Sequence, residues 1–473
     1  MVEKIDVWGA TGDVTEPSSV KRDSGWVAAE QPRHDWFNWV DNAQSNKINE
    51  ILDEGFNMHY PAAADVKSML MTGLWDESWG ITEDTLNIID SGATPAFADM
   101  GVWFNSDDEP NIVILDATLN KIEVWDARAR TLSDTSPDLA TTDYLPAGTY
   151  IASSMAIDAA NAYVIFRETT ANPDEYFIQA YDIASWDIVS GWPAAGTQLS
   201  GAADTKNGKV INASSTKLAV ACDWVTISSS ASTAISIIDK ADGSISTEGA
   251  GEAPTGVSAV ADPKIASDGT NIFFGVYGTG QGYICSATIA DATAGCGGTG
   301  YPLTWPTAAS DCNSLTSCGP SMFVSGWRKG TPLVGDIVLG SHTAANVGGD
   351  RIKRGINSQA IDGDEYICDG IYDAVFDGIN IWLFTVIDNL ASGASMALIK
   401  IDAAKFSGIV GTSRDLSDIT DSVFMMNPGS AAGNYPTSGL TFDGRDVWFL
   451  RERAANLPNS GTIRRLPFAR FRS

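Results

Sequence analysis

Short apolar runs, each preceded by turn-forming residues, dominate the pattern along most of the chain. From about residue 90 one signature recurs: an Asp or Asn, one or two turn residues, and then aromatic and β-branched residues. Asp-Gly pairs tolerate positive φ and connect hairpin strands, and a continuously apolar run is typical of a strand buried on both faces. The Asp or Asn of the signature stands at six positions: Asp99, Asp158, Asn212, Asp268, Asp377 and Asp443.

The spacing of these copies predicts a repeat architecture. The gap between Asp268 and Asp377 is close to two periods, and residues 320–324 supply a worn seventh copy, so the mean period is about 57 residues. Several short strands per unit at this period are typical of four-stranded propeller blades. We therefore predict a mainly β chain, with a seven-bladed β-propeller over residues 91–473. A pair of β-sandwiches is the rival architecture.

The N-terminal part has a different, helical pattern. Apolar residues recur on one face between Trp36 and Leu52, Asp35 suits the N-cap and Gly55 suits the position after the helix. This predicts a helix over residues 35–54, inside a segment 1–55, followed by a linker over 56–90. The apolar stripe needs a partner: self-association, docking onto a larger assembly and packing on the chain's own C-terminal domain all remain open.

Charge and composition exclude several classes of function. The chain has 473 residues and a net charge of −29, which argues against binding to nucleic acid or to an anionic membrane surface. The longest apolar stretches, such as residues 381–387, are shorter than the ~20 residues of a membrane helix, so no membrane insertion is expected. The first 30 residues lack the apolar core of a signal peptide.

No catalytic motif emerges, and we expect no enzyme activity and no cofactor. Only His34, His59 and His342 are present, and none stands beside a nucleophile motif. The glycine-rich segments 278–282 and 295–300 lie between strands and predict hairpin turns rather than phosphate loops. The acidic segments 107–109 and 362–365 lack the full spacing of a calcium loop, so solvated turns are favoured over calcium sites, and no metal site is predicted.

The six cysteines and the C-terminal arginines leave alternatives open. Cys312 and Cys318 flank a short loop and are a candidate disulfide, whereas Cys222, Cys285 and Cys368 stand among apolar residues as expected of free buried thiols. Residues 451–473 hold six arginines and one acid. This basic end either docks on an acidic surface or forms a strand around 463–468 with exposed arginines.

One N-terminal segment resembles a known class of proteins. A Gly-Trp pair, a proline and a Phe-Asn-Trp cluster precede the predicted helix, with the candidate attachment residues Trp26, Pro32, Trp36, Phe37, Asn38 and Trp39. This arrangement, over roughly residues 5–55, resembles the N-terminal region of bacteriophage tail-fibre and adhesin-like virion proteins. The resemblance implies that the segment binds other virion proteins and that the C-terminal domain faces outward.

Together these features predict a virion structural protein, a tail fibre or receptor-binding protein that attaches to a host surface glycan or protein. The resemblance also implies location on the exterior of the virion. Self-association of the helix through Val40, Gln44, Ile48 and Ile51 would make the chain a homo-oligomer. Two alternatives remain at this stage. One is a propeller glycoside hydrolase that depolymerises host polysaccharide, and the other is a head or tail decoration protein without a ligand.

Overall fold

The structure is a computed structural model, in which the chain divides into two compact units, Met1–Thr82 and Glu83–Ser473. All described residues belong to the second unit, and in several strands only the backbone is described. The described residues are 86–88, 97–117, 119–127, 129, 131–141, 143–171, 174–203, 208–223, 231–252, 263–278, 281–293, 303–304, 310–317, 322–330, 333–341, 360–361, 364–389, 393–402, 422–425, 440–444, 447–452 and 461–466. The predicted helix 35–54 and all six attachment residues therefore lie outside the described residues.

Every regular element in the described part of the chain is a β-strand, which confirms the prediction of a mainly β fold. The first half contains the strands β1 (Leu86–Ile88), β2 (Phe97–Phe104), β3 (Pro110–Asp116), β4 (Lys121–Asp126), β5 (Leu132–Thr135), β6 (Tyr150–Ile157), β7 (Asn161–Glu168), β8 (Asp174–Asp182), β9 (Thr197–Ala203), β10 (Lys209–Asn212), β11 (Lys217–Asp223), β12 (Ala231–Asp239) and β13 (Ile245–Glu252). The second half contains β14 (Ile265–Ser267), β15 (Asn271–Gly278), β16 (Gln281–Thr288), β17 (Leu303–Thr304), β18 (Ser310–Ser317), β19 (Met322–Gly330), β20 (Leu333–Ser341), β21 (Ala360–Ile361), β22 (Asp364–Phe376), β23 (Asn380–Asn389), β24 (Gly393–Asp402), β25 (Ser422–Met425), β26 (Leu440–Phe442), β27 (Val447–Glu452) and β28 (Gly461–Leu466).

These described strands form seven antiparallel sheets, numbered here in chain order. Sheets 1 to 4 are β2–β5, β6–β9, β10–β13 and β14–β17, each with neighbouring strands in sequence order. Sheet 5 is β18–β20 and sheet 6 is β21–β25. Sheet 7 combines β26–β28 with β1, in the order β1-β28-β27-β26. Consecutive strands therefore pair as meanders, and among the described strands the one non-local pairing joins the two ends of the unit.

One strand of each sheet contacts its counterparts in the two neighbouring sheets. We call these the ring strands: β2, β6, β10, β14, β18, β22 and β26. Each ring strand contacts the next one in this order, and β26 contacts β2, so the series of contacts closes on itself. The sheets therefore follow one another around a common centre in the order of the chain.

The pairing of β1 with β28 joins the two ends of the unit. Leu86 lies opposite Ile463 and Ile88 lies opposite Gly461. β1 falls inside the segment 56–90 for which the sequence predicts a linker. This pairing covers the edge of β28 that would otherwise present unpaired N–H and C=O groups.

Apolar clusters fill the spaces between adjacent sheets. The cluster between sheets 1 and 2 contains Val113 and Leu115 from one sheet and Val164 and Phe166 from the other. Similar clusters lie between sheets 2 and 3 and between sheets 3 and 4. Trp448 of sheet 7 packs against sheet 1 in the same way. In sheets 1 and 2 the second strand buries both faces against its neighbours, and its sequence holds a continuous apolar run, as predicted from the repeat signature.

Candidate functional site

The repeat signature forms the turn between the first and second strands of a sheet. At the end of β6, Asp158 Oδ1 accepts hydrogen bonds from the backbone N–H groups of Ala160 (3.1 Å) and Asn161 (3.0 Å). Asp268 and Asp377 accept the equivalent pair of N–H groups in sheets 4 and 6. The carboxylate thus satisfies turn donors that would otherwise be unpaired, which explains why Asp recurs at this position.

In three turns the same carboxylate also binds an aromatic side chain five residues later. Tyr163 Oη donates to Asp158 Oδ2 at 2.7 Å, Trp382 Nε1 donates to Asp377 Oδ2 at 2.9 Å, and Trp448 Nε1 donates to Asp443 Oδ2 at 2.7 Å. These aromatic rings are almost fully buried. The aspartate therefore pairs the polar group of a core side chain, and the turn is fixed to the second strand.

These contacts shift the acidity of the groups involved. Burial alone would raise the pKa of Asp158, but hydrogen bonds from Tyr163, Ala160 and Asn161, and the charge of Lys240, hold that pKa below the ordinary 3.8. At Asp377 burial also tends to raise the pKa, but hydrogen bonds from Asn380, Trp382 and Ile379 lower the pKa overall. Burial and the neighbouring Asp158 raise the pKa of Tyr163. Asp158 and Asp377 accordingly keep their negative charge in moderately acidic solution.

Asp99 does not occupy such a turn, which corrects the sequence alignment of the first copy. It lies within β2, directly after a β-bulge, and 6% of it is exposed. The turn of sheet 1 instead begins at Asn105, whose Oδ1 accepts from the N–H groups of Asp107 (2.9 Å) and Glu109 (3.0 Å). The acidic segment 107–109 is thus part of this mostly exposed turn.

Asp99 instead joins three ring strands. Its Oδ2 accepts from Ser154 Oγ of β6 (2.7 Å), from the N–H of Met155 (3.0 Å) and from Lys209 Nζ of β10 (2.7 Å). Ser154 Oγ in turn accepts from the N–H of Val210. Ser154 is fully buried and its hydroxyl both donates and accepts here. This arrangement holds sheets together and leaves Ser154 without the access that a catalytic nucleophile requires.

The same contact recurs at the junction of sheets 6 and 7. Asp373 follows a β-bulge in β22, and its Oδ2 accepts from the N–H of Leu440 at 2.9 Å. Asp373, Asp99 and Ser154 each lie directly after a bulge and each accept a backbone N–H from the next ring strand. A bulge redirects a side chain, and here it directs a polar group onto the neighbouring sheet.

The final residues of the ring strands lie at one end of the ring. Neighbouring ends touch there: Trp103 Nε1 donates to Ala159 O, Asn212 Nδ2 donates to Ile157 O, and Ser267 Oγ donates to Ala213 O. We call the final residues of the seven ring strands the ring mouth: Phe104, Ile157, Asn212, Ser267, Ser317, Phe376 and Phe442. None of these seven side chains is buried.

The ring mouth has an apolar part and a polar part. In ring order, sheets 6, 7, 1 and 2 contribute Phe376, Phe442, Phe104 and Ile157, and sheets 3, 4 and 5 contribute Asn212, Ser267 and Ser317. Sequence reasoning missed this feature. The signal was present in the Phe-Asp-Gly sequences at 376–378 and 442–444, but a strand end and its exposure are needed to recognise it.

The remaining predicted sites fall mainly outside the described residues. This holds for all three histidines, for the glycine segment 295–300 and for residues 362–363 of the second acidic segment. The other glycine segment is a hairpin, as predicted, since Gly278 pairs with Gln281 between β15 and β16. Residues 463–466 lie in β28, which supports the strand interpretation of the basic C-terminal end.

The cysteine predictions have a mixed outcome. Cys222 is a buried thiol that is not part of a disulfide, as predicted. Cys285 is disulfide-bonded, so the expectation of a free thiol there is wrong. Apolar neighbours in a strand indicate burial, but they do not distinguish a thiol from a disulfide. The side chains of Cys312 and Cys318 are outside the described residues, and their pairing stays a prediction.

Neither a metal cluster nor a membrane helix is found in the described part of the chain. There, no three His, Cys, Asp or Glu side chains come together in a group suited to hold a metal ion. No helix among the same residues has the length and apolar character needed to cross a membrane.

Comparisons with known proteins give likenesses of structure and none of sequence. No family model and no curated protein matches the chain. A hydrazine synthase of Kuenenia stuttgartiensis aligns with a TM-score of 0.42 and 11% identity, over 80% of this chain and 98% of that one. The Dos1 propeller aligns with a TM-score of 0.38 and 11% identity, over 79% of each chain. BamB of Moraxella catarrhalis aligns with a TM-score of 0.35 and 11% identity, over 80% and 97%. Likenesses this remote carry no conclusion about activity.

Proposed function

We propose that this chain is a bacteriophage virion protein whose N-terminal segment attaches it to the particle and whose sheet domain binds the host surface. The support for attachment is the Gly-Trp, proline and Phe-Asn-Trp arrangement, with Trp26, Pro32 and Trp36–Trp39 as the binding residues. The partners are other virion proteins at one end and a host glycan or protein at the other.

The sheet domain in this proposal is a seven-bladed β-propeller, with each sheet as one blade. The cyclic order of contacts between ring strands, from β2 through β26 and back to β2, is the observation that carries it. The pairing of β1 with β28 adds the closure that a ring of blades needs. Such a ring holds many loops at fixed positions on a rigid scaffold, which suits recognition of another surface.

Adsorption of the purified chain to host cells tests the proposal. The chain is incubated with host cells, the cells are sedimented, and the phage is then added to ask whether its adsorption is blocked. We expect the chain to bind the cells and to compete with the phage. Release of oligosaccharide from host polysaccharide would replace this function with depolymerisation. Absence of both binding and competition would contradict the proposal and favour a decoration role.

Antibodies against the chain test its location separately. We expect them to label an exterior appendage of intact particles in electron micrographs. A chain missing from purified particles would contradict the virion role. A second preparation, in which Trp36 and Trp39 are both changed to Ala, should assemble particles that lack the label.

A further inference from the structure

We propose that the ring mouth is a saccharide-binding site that takes an uncharged host polysaccharide, with sugar rings stacked on Phe104, Phe376 and Phe442. This inference rests on the proposed function, because it assigns the host-binding role to one end of the ring. It goes beyond that function by naming the residues and the class of ligand.

The apolar part of the mouth supplies flat aromatic surface in contact with water. Phe104 is 45% exposed and Ile379, in the turn after Phe376, is 51% exposed. They are two of the three large apolar side chains that are exposed in the described part of the chain. Burying such surface is favourable, and an aromatic face accepts the C–H groups that line one face of a sugar ring.

The aromatic residues of the mouth belong to consecutive sheets. A Cβ built on Gly444 would lie 4.0 Å from Phe104 Cζ, so the Phe104 ring reaches the turn that directly follows Phe442. Phe442 and Phe376 end the ring strands of sheets 7 and 6, which are joined through Asp373 and Leu440. A phenylalanine thus recurs at one strand position in three consecutive sheets, an arrangement that suits several successive sugars.

The polar part of the mouth supplies hydrogen-bonding groups. Asn212 is exposed, and Ser267 and Ser317 are half-buried at the same position of sheets 3, 4 and 5. The amide of Asn212 suits pairing with sugar hydroxyls, and it is positioned by the bond from Asn212 Nδ2 to Ile157 O (2.6 Å). The Ser267 hydroxyl is already bonded to Ala213 O, Asn271 O and the N–H of Gly269, so Asn212 is the main polar contact proposed here. A site with an aromatic part and a small number of polar groups matches the two-sided character of a sugar ring.

The charge around the mouth selects against anionic saccharides. Asp158, Asp268, Asp377 and Asp443 directly follow mouth residues in four sheets. Two lysines near these turns are already ion-paired: Lys240 with Asp158 at 3.3 Å and Lys217 with Asp239 at 2.7 Å. Among the described residues of these turns the carboxylates outnumber the lysines, which raises the free energy of a uronate- or phosphate-bearing polymer at this end of the ring.

Binding of the full chain to fractionated host polysaccharide tests the proposal. Polysaccharide extracted from host cells is separated on an anion exchanger into an unretained neutral fraction and a retained anionic fraction. Affinity for each fraction is measured for the wild type, Phe104→Ala and the double variant Phe376→Ala, Phe442→Ala. Leu132→Ala is the matched control, since Leu132 is 46% exposed but lies on the outermost strand β5.

We expect the wild type to bind the neutral fraction, with Phe104→Ala weakening it about tenfold or more. Phe104→Tyr should retain binding because it keeps the ring, and Leu132→Ala should match the wild type. The melting temperature of each variant shows whether the variant is folded. If Phe104→Ala melts at a lower temperature than the wild type, binding is judged from the double variant and from Phe104→Tyr.

Three results would overturn the inference. If all the Phe variants bind host cells as tightly as the wild type does, the ring mouth is not the binding site, and the proposed function still stands. If the wild type binds only the anionic fraction, the ligand is not an uncharged polysaccharide. A wild-type chain that binds no host cells would contradict the proposed function itself, which the cell assay distinguishes from the other two results.

Discussion

The carboxylate of Asp158 binds donors from four residues, and one of them can be removed almost without a change of shape. Tyr163→Phe deletes the hydroxyl that donates to Asp158 Oδ2. A hydrogen bond to a charged acceptor stabilises the fold by about 1.5 kcal/mol or more. We expect a loss of that size near pH 7, measured by urea unfolding, with the tyrosine itself protonated throughout because its pKa is raised.

The loss in Tyr163→Phe should depend on pH. The pKa of Asp158 is lowered in the fold, so its stabilisation is present above the ordinary value of 3.8 and disappears as the pH falls through the folded value. The difference between variant and wild type should therefore shrink in acid. Tyr181→Phe is the control, because Tyr181 donates to the backbone oxygen of Leu139 and its loss should not vary with pH in this range. A pH-independent loss in Tyr163→Phe would contradict the account.

Two ion pairs of equal length allow a direct test of burial at Asp99. Lys209–Asp99 and Lys217–Asp239 are both 2.7 Å long with similarly exposed lysines, but Asp99 is 6% exposed and Asp239 is 32% exposed. Asp99→Asn puts an amide against donors from Ser154 and Lys209, so we expect it to destabilise the fold by about 2 kcal/mol or more. Asp239→Asn should change stability by less than about 1 kcal/mol. Equal effects in urea unfolding would show that Asp99 does not join the sheets.

At this scale the sequence predicts contacts that are local and misses those between sheets. The turn aspartates at 158, 268, 377 and 443 were identified from the residues that follow them. Asp99 was assigned to the same class because its neighbours look similar, although its partners Ser154 and Lys209 are far away in the sequence. A single sequence carries no signal for such a pairing. The disulfide at Cys285 was missed because apolar neighbours indicate burial and do not distinguish a thiol from a disulfide.

Strands and turns differ in how they tolerate an added methyl group. Gly269 has a φ of +91° in its turn, and an added Cβ there would meet no atom within 4 Å. A Cβ added to Gly249, in β13, would clash with the backbone oxygen of Ala292, in the segment that follows β16 of sheet 4. The first position is constrained by backbone conformation and the second by the close approach of two sheets.

These two glycines give a prediction at the level of elements. Gly269→Ala should destabilise the fold by about 1 kcal/mol, because an L residue is strained at positive φ. Gly249→Ala should lower stability by more, about 2–3 kcal/mol, since two backbones must move apart. Urea unfolding of both variants gives the two losses in the free energy of unfolding, and we expect the loss to be larger for Gly249→Ala. A milder effect at Gly249 would mean that sheets 3 and 4 do not approach as closely as described.

Most strands follow from the repeat signature, whereas β1 does not. Five described turns, from residues 158, 212, 268, 377 and 443, fall between the first and second strands as predicted. β1 has three residues and lies in a segment that the sequence describes as a linker. β1 is a strand because it pairs with β28, which lies at the other end of the unit, and a local sequence pattern does not reveal such a pairing.

Closure by β1 should control the stability of the whole sheet domain. A variant that lacks residues 1–82 keeps β1, and one that lacks residues 1–90 removes it. We expect the shorter deletion to melt as one cooperative unit near the wild-type temperature. The longer deletion should melt at a lower temperature and associate, because β28 then presents an unpaired edge. Calorimetry and size-exclusion chromatography measure both properties. Indistinguishable behaviour would contradict closure through β1.

A crystal structure of the full chain would test the closed ring of seven sheets. We expect seven antiparallel sheets around one axis, with β26 beside β2 and with Leu86 opposite Ile463 in the last sheet. A ring with another number of sheets, an open ring, or two stacked sheets would contradict it.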